Sequence, residues 1–390
     1  MEFKIANEKK NDDNVEDKKK TVNNDEFKKR MKKMAIYIMG GFVILMVILA
    51  IMSLFTKKNY SYDEVENILK SSAINYFADH KKNLPVNANQ IVEITDKTLT
   101  SSEYMKSLDE YLKSGVSCSG KVVVRKVDNN YSYTPYLDCG SSYSSKPLYT
   151  ALTKKVVTSG DGIYKTNDGY VFRGENVNNY VQLDKSLWRV VKINSDNSIV
   201  LLLNGSYSFG YSWDDRYNKE LDYNAGINDY NASRVKSYLN DIYNDNDEDD
   251  AILSKSDRLR LVKFNLCIGS RSIEDSSKDN SLECSQTVAN QKIGLLTVSD
   301  YMNASLDASC NNATSYSCQN YNYLATADSD WWLGTSVAGT TDEVFSVNDV
   351  GVVNNESASS YADIRPIVSL SNSTFISGGK GKKNNPYKLK

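Results

Sequence analysis

An uncharged run of 22 residues, 34–55 (MAIYIMGGFVILMVILAIMSLF), constrains this chain more than any other feature. A helix rises about 1.5 Å per residue, so a run of this length matches the roughly 30 Å hydrocarbon core of a bilayer. The run is longer than the apolar part of a secretory signal peptide, and no small-residue cleavage site follows it. The sequence therefore predicts a single transmembrane helix that is retained in the protein.

The charges around this run predict an orientation. Five Lys or Arg residues directly precede it and only two lysines follow it. Such a bias favours an N-terminus inside the cell and a C-terminal ectodomain outside, as in a single-pass type II cell-membrane protein. Residues 1–33 are densely charged and nearly devoid of apolar side chains, which predicts a disordered cytoplasmic tail. The remainder of the chain is mildly acidic, and this charge balance argues against nucleic acid as a partner.

All six cysteines follow the apolar run, and an even number on an exported segment indicates disulfide bonds. Sequential pairing is favoured, because each neighbouring pair brackets one local loop or hairpin. Zinc is the alternative, but the chain has no C-x-x-C motif and only one histidine, His80, so no metal site is expected. The cysteines are Cys118, Cys139, Cys267, Cys284, Cys310 and Cys318.

Residues 60–148 form the first predicted module after the apolar run. Apolar residues recur near helical spacing from Val65 to Phe77, and Ser61 is a favourable N-cap. A second helix is predicted over 101–115. Two β-rich runs then flank a turn at 128–130, with Cys118 and Cys139 at the outer ends of the hairpin. A disulfide between these two cysteines would join the two strands.

This module loosely resembles the membrane-proximal segments of pilin-like exported bacterial proteins, in which an apolar helix leads into a small disulfide-closed hairpin. The resemblance implies a role in assembly. The prepilin cleavage motif of that family is absent from the sequence. Residues 149–160 follow as a predicted linker.

Residues 161–390 form the second predicted module. A turn at 195–197 separates two apolar runs and predicts a hairpin. Val235, Leu239 and Ile242 form an apolar stripe at helical spacing. A strand running into a Ser299-capped helix is expected to follow, and then the segments 330–336, 342–353 and 361–370.

The ordered segments SLWRVVKIN, LLTVSDYMNAS, WWLGTS, VFSVNDVGVV and IRPIVSL carry a second resemblance. The module is similar to a domain of unknown function in surface proteins of Gram-positive bacteria. More distantly, it resembles the C-type-lectin and formylglycine-generating-enzyme superfold. The resemblance implies an α+β fold with small antiparallel sheets, flanking helices and long loops.

Catalytic motifs are scarce, so the chain is not expected to be an enzyme. The single histidine lies outside the second module, which leaves no Ser/His/Asp or Cys/His arrangement there. Asp214 and Asp215 stand beside Trp213 as a pair of carboxylates of the kind that glycosidases use. Adjacent side chains usually point apart, however. The preferred interpretation places one acid in solvent and pairs the other with Arg216 or a turn.

No cofactor is expected either. The acidic stretch 244–250 lacks the glycine and glutamate of a calcium-binding EF-hand loop. Asn348 and Asp349 partly match a calcium motif of C-type lectins, but Gly351 follows them and favours a hairpin turn. The two remain candidate ligand-binding residues.

Aromatic residues supply the other candidates for ligand contact, since tyrosine and tryptophan are common at recognition surfaces. They are Tyr211 and Trp213, beside Asp214, and Trp331. Because side chains alternate along a strand, one of Trp331 and Trp332 is expected in the core and the other toward the loop surface, with Trp332 preferred as the buried one. The sequence thus predicts a membrane-anchored extracellular binding or adhesion protein that presents a lectin-like domain to a glycan or protein ligand. The alternative is a structural subunit of an envelope or pilus-like assembly, and an envelope enzyme is less favoured.

Overall fold

The computed structural model describes residues 24–55, 60–87, 90–127, 129–207, 210–247, 251–325 and 328–390, with side chains of the first helix described for residues 26–46. The described helices are α1 (Asn24–Phe55), α2 (Tyr62–Asp79), α3 (Asp96–Ser101), α4 (Leu108–Tyr111), α5 (Leu148–Leu152), α6 (Arg234–Asn244), α7 (Lys255–Arg258) and α8 (Val298–Ala304). The strands are β1 (Ile91–Thr95), β2 (Ser119–Val127), β3 (Asn130–Asp138), β4 (Gly162–Thr166), β5 (Gly169–Arg173), β6 (Tyr180–Leu183), β7 (Ser186–Asn194), β8 (Ile199–Leu203), β9 (Tyr211–Ser212), β10 (Phe264–Cys267), β11 (Thr287–Gln291), β12 (Gly294–Leu295), β13 (Trp331–Ser336), β14 (Glu343–Val347), β15 (Val353–Ser357), β16 (Tyr361–Ala362), β17 (Pro366–Leu370), β18 (Ile376–Gly378) and β19 (Tyr387–Leu389).

Among the residues that the structure describes, no helix is both long enough and apolar enough to cross a membrane. The transmembrane helix expected at 34–55, and with it the single-pass cell-membrane localisation, is therefore wrong. Side chains of this run are described for residues 34–46. The remaining part of the expected span, 47–55, lies outside the residues whose side chains are described. Residues 1–23 of the expected tail also lie outside the described residues, and residues 24–33 belong to α1.

Tyr60–Lys390 form one compact unit, separate from the unit that contains α1. Its first part packs α2 and α3 against the three-stranded sheet β1-β2-β3. Ser61 and Glu64 form a capping box that begins α2, satisfying backbone amides that the first turn of a helix leaves unpaired. Ser119 pairs with Asp138 across the hairpin, so the next residues outward, Cys118 and Cys139, meet in a disulfide.

A nine-stranded sheet organises the second part. The strands follow the order β12-β17-β8-β7-β6-β19-β18, and the β4-β5 hairpin is attached through β5 to β7. All pairs are antiparallel except β6 with β19. β8 is buried along its whole length, since both faces of the sheet are covered there. The other described sheets are small, with two or three strands each. The α+β class expected from the sequence is confirmed, although the nine-stranded sheet is larger than expected.

The segment interpreted from sequence as a linker, 149–160, contains most of α5. Leu148 and Leu152 of this helix belong to the larger hydrophobic core. A smaller core lies between α2 and the three-stranded sheet. The hydroxyl-capped α6 buries Val235, Leu239 and Ile242 against the larger core, as the apolar stripe predicts.

A buried ion pair connects three distant segments of the second part. Arg271 and Glu283 are both fully buried, with 3.1 Å between Nη1 and Oε1. Glu283 also accepts hydrogen bonds from the backbone amide and the hydroxyl of Ser299, at 3.0 and 2.7 Å. The other terminal nitrogen of Arg271 donates to the carbonyls of Asp275 and Ser277. This network fixes the loop between Arg271 and Glu283 against the first turn of α8.

We predict that Glu283→Gln lowers the free energy of unfolding by about 3 kcal/mol or more, because removing one partner leaves a charged guanidinium buried. Urea unfolding followed by circular dichroism measures this change. Glu274→Gln, an exposed acid in the same loop, is the matched control and should change stability by less than about 0.5 kcal/mol. Equal effects of the two substitutions would show that the buried pair is not what stabilises this loop.

Candidate functional site

A large groove lies on one face of the nine-stranded sheet. Its volume is about 820 Å³, within the range of ligand sites. We call it the sheet groove. Its floor consists of outward-facing residues of four adjacent strands: Val171 of β5, Lys192 of β7, Val200 of β8 and Ile367 of β17. Val171 pairs with Lys192, which in turn pairs with Val200, so these side chains stand in one row.

The turn of the β4-β5 hairpin closes one end of the groove. Gly169 has a positive φ of 135° and pairs with Asn194 at the end of β7. A Cβ at this position would lie 2.0 Å from the carbonyl oxygen of Ile193, so only glycine allows the hairpin to approach β7 this closely. Asn167 and Asp168 are consequently held at the rim, exposed to solvent.

The opposite wall is the loop closed by the disulfide Cys267–Cys284. Ser277, Lys278, Asp279 and Asn280 of this loop line the groove. The Arg271–Glu283 network described above holds the loop from its buried side, and the disulfide holds its two ends. The wall is therefore fixed at both ends and in the middle.

The groove contains a buried lysine–carboxylate pair. The Lys192 amine lies 2.8 Å from Oδ1 of Asp300, a carboxylate in the first turn of α8. Asn280 donates to the same oxygen at 2.8 Å, and Asn280 in turn accepts a hydrogen bond from Thr297. Because the Asp300 carboxylate contacts both a lysine amine and an amide, its position at the centre of the groove is fixed.

Two further cations at the groove lack a carboxylate partner among the described residues. Arg173 donates to the neutral amide oxygen of Asn303 at 2.5 Å and packs on the ring of Tyr164, and its buried Nε has no hydrogen-bond partner. Lys278 makes no hydrogen bond or ion pair in the described parts of the chain. Burial lowers the pKa of both groups, and the neighbouring Arg173 lowers the pKa of Lys278 further. The carboxylate of Asp307 partly offsets this lowering of the Lys278 pKa, but no described carboxylate forms an ion pair with either cation.

Asp279, the acid on the wall formed by the disulfide-closed loop, already has hydrogen-bond donors. Asp279 accepts hydrogen bonds from Ser277 and from the backbone amide of Ser281. These bonds, first those from Ser281 and then that from Ser277, lower its pKa to about 2. Asp279 is therefore an anion at any physiological pH, and its acceptor sites point into its own loop.

Several neutral polar groups along the groove are available to a ligand. The side chains of Thr166, Asn167 and Asn265 make no hydrogen bond with other described residues, and Asn303 uses only its oxygen. Tyr170 adds a partly exposed aromatic ring. An amide offers both donors and an acceptor, so this lining suits a ligand that is rich in hydroxyl groups.

The residues predicted from sequence lie outside this groove. Trp331 and Trp332 are both fully buried, so the expected surface position for one of them is wrong. Successive side chains of β13 point to opposite faces of the strand, as predicted, but both faces are covered by other parts of the protein. Trp331 packs edge-on against Tyr301 and under the guanidinium of Arg365, whereas the indole nitrogen of Trp332 donates to the Tyr211 carbonyl at 2.7 Å.

Trp213 and Asp214 are fully buried as well. Asp214 accepts two hydrogen bonds from Nε of Arg216, at 2.9 and 3.0 Å, and Asp215 is exposed and pairs with Arg234. This arrangement confirms the preferred interpretation of the two acids, in which one holds Arg216. Neither buried side chain reaches the surface to contact a ligand.

Three predicted residues remain partly or fully accessible. Tyr211 stacks obliquely on Tyr238, with 4.4 Å between ring centroids. Asn348 accepts from the Val352 amide, and the Asp349 amide donates to Asp330, so these two form the hairpin turn between β14 and β15. The structure brings Tyr211 close to Trp332, and Asp349 close to the start of β13, but it does not combine them into one cavity. Among the described residues, no group of three or more His, Cys, Asp or Glu is arranged to hold a metal ion; residues 248–250 of the acidic stretch considered for calcium lie outside them.

Comparisons with protein-family models, characterised proteins and solved structures found no match to this chain. The resemblances to lectin-like and pilin-like proteins therefore stay predictions.

The groove residues are spread over 165–367, and no local motif marks them. The sequence feature that could have indicated them is Gly169 followed by Tyr170 and Arg173 on a short strand, combined with the Cys267–Cys284 loop.

We predict that replacing Cys267 and Cys284 by serine together raises amide hydrogen exchange across residues 268–284, because the loop loses its covalent closure. Mass spectrometry of peptides from native-state exchange measures this directly. Replacing Cys310 and Cys318 in the same way is the control, and it should raise exchange near 310–318 without affecting the groove wall. Unchanged exchange in 268–284 would show that the Arg271–Glu283 network alone fixes the wall.

Proposed function

We propose that this protein binds a saccharide that carries acidic groups, and that the sheet groove is the binding site. The observation that carries the proposal is that Arg173 and Lys278 lie at one groove and form no ion pair with a described carboxylate, Asp307 acting on Lys278 only from a distance. An anionic group of a ligand would relieve the repulsion between the two cations and would supply the acceptor that the buried Nε of Arg173 lacks.

The neutral lining supports a saccharide as the carrier of that anion. Sugar hydroxyls donate and accept hydrogen bonds, and amides such as those of Asn167, Asn265 and Asn303 can meet both needs. Tyr170 offers an amphipathic surface, since its ring is apolar and its hydroxyl is polar. A largely apolar floor with a few polar groups is the common design of a ligand site.

The acids of the groove favour binding over catalysis. Asp300 is neutralised by Lys192, and Asp279 is held by serine side chains and backbone amides. Asp168 lies at the exposed turn of the β4-β5 hairpin, away from Asp279 and Asp300. Glycoside hydrolysis needs one carboxylic acid that holds a proton near neutral pH, and the lowered pKa of Asp279 is opposite to that requirement.

A glycan array probed with the full-length protein tests the proposal. We expect binding to glycans with uronic or sialic acid residues and weaker binding to neutral glycans of equal length. Arg173→Gln and Lys278→Gln should each weaken binding by about tenfold, because one charge-assisted hydrogen bond contributes about 1.5 kcal/mol or more.

The matched control is Lys380→Gln, which removes one positive charge from an exposed position outside the groove. Binding that is unaffected by Arg173→Gln and Lys278→Gln, or a preference for neutral glycans, would refute the proposal. Absence of glycan binding together with concentration-dependent oligomers in sedimentation velocity would favour the alternative of a structural subunit.

A further inference from the structure

A second cavity lies between the two parts of the compact unit. None of the residues that line the sheet groove lines this cavity. Its volume is about 500 Å³. We call it the seam cavity. It is bounded by α2, by the edge strand β3, by the segment around Leu259 and by the turn at 371–375. The residues on which the argument depends are Lys70, Arg125, Arg260, Thr374, Phe375 and Lys390.

Arg125 is buried at the wall of this cavity by the register of β2. Val122 and Val124 point into the core beneath α2, so alternation places Arg125 on the opposite face of the sheet, facing the second part of the unit. Its side chain is 5% exposed. One terminal nitrogen donates to the carbonyl of Leu259 at 3.2 Å, and the buried Nε has no hydrogen-bond partner.

Arg125 also has no carboxylate partner among the described residues. Burial lowers its pKa to about 10, which leaves the guanidinium charged at neutral pH. A buried charge of this kind is costly unless it is paired. The cavity wall therefore holds a permanent cation whose hydrogen-bonding capacity is only partly used.

The remaining charges of the cavity divide into neutralised and unneutralised groups. Lys390 contacts the carboxylates of Asp63 and Glu66, and Arg260 pairs with Asp257 at 3.2 Å. Lys70 makes no ion pair, and its pKa is lowered first by partial loss of solvent around the amine and then by Arg260. Every described carboxylate at the cavity is thus engaged, while Arg125 and Lys70 are not.

The cavity also contains an unpartnered hydroxyl and apolar surface. The buried Oγ1 of Thr374 has no hydrogen-bond partner. Phe375 packs edge-on against Tyr136 and forms an apolar wall with Leu259 and Ile74. A ligand that suits these features has an anionic group at one end and an apolar body.

We propose that the seam cavity binds a small organic oxyanion, with a carboxylate or phosphate group on Arg125 and an apolar part against Phe375. A guanidinium presents parallel N–H groups that match two oxygens of such a group. Lys70 adds a second positive charge at the entrance. This site is independent of the sheet groove, because the two cavities share no residue.

Isothermal titration calorimetry on the full-length protein tests this site with three probes: benzoate, inorganic phosphate and the neutral benzyl alcohol. We expect benzoate or phosphate to bind and benzyl alcohol to bind at least tenfold more weakly. Benzoate binding without phosphate binding would identify a carboxylate site, and the reverse would identify a phosphate site. Failure of both anions to bind at millimolar concentration would overturn the proposal.

Variants locate the binding. Arg125→Met should weaken anion binding at least tenfold, and Lys70→Met, at an exposed position, should weaken it by a few-fold. Lys126→Met removes a charge from the same strand outside the cavity and should leave binding unchanged. Circular dichroism verifies that Arg125→Met is folded, and if it is not, Lys70→Met and Thr374→Val decide the question. Equal affinity of Lys70→Met, Thr374→Val and the unaltered protein would refute the assignment.

Discussion

The Arg271–Glu283 pair is the interaction on which the organisation of the second part depends. Both side chains are fully buried, so each must satisfy the other, and the two terminal nitrogens of Arg271 also reach Ser299 and two loop carbonyls. The backbone of Arg271 additionally exchanges hydrogen bonds with Ser336, the last residue of β13, and with Ala338. One residue therefore connects the groove wall, the first turn of α8 and the tryptophan-containing strand β13.

Local patterns in the sequence predicted local structure well. The hairpin of β7 and β8, the stripe on α6, the Ser61 cap and the sequential disulfides all depend on residues that are close in the chain. The sheet groove could not be predicted in this way, because Val171, Lys192 and Ile367 become neighbours only when β5, β7, β8 and β17 pair. The same holds for Arg125, whose isolation from carboxylates is a property of packing and not of its sequence neighbours.

The errors have physical causes as well. Strand alternation correctly placed Trp331 and Trp332 on opposite faces of β13. Whether one face or both are buried depends on the elements that pack above and below the strand. The one-dimensional pattern gave the chemistry of these two residues and left their surroundings undetermined.

The parallel pair of β6 and β19 has a consequence for how this protein folds. The three disulfides close only short loops, with separations of 21, 17 and 8 residues, so they can form while most of the chain is still unstructured. The pairing of Tyr387 with Val181 instead joins segments from the two extremes of the second part, and such non-local contacts slow folding. We therefore expect the local loops closed by the disulfides to form before this non-local pair completes the sheet.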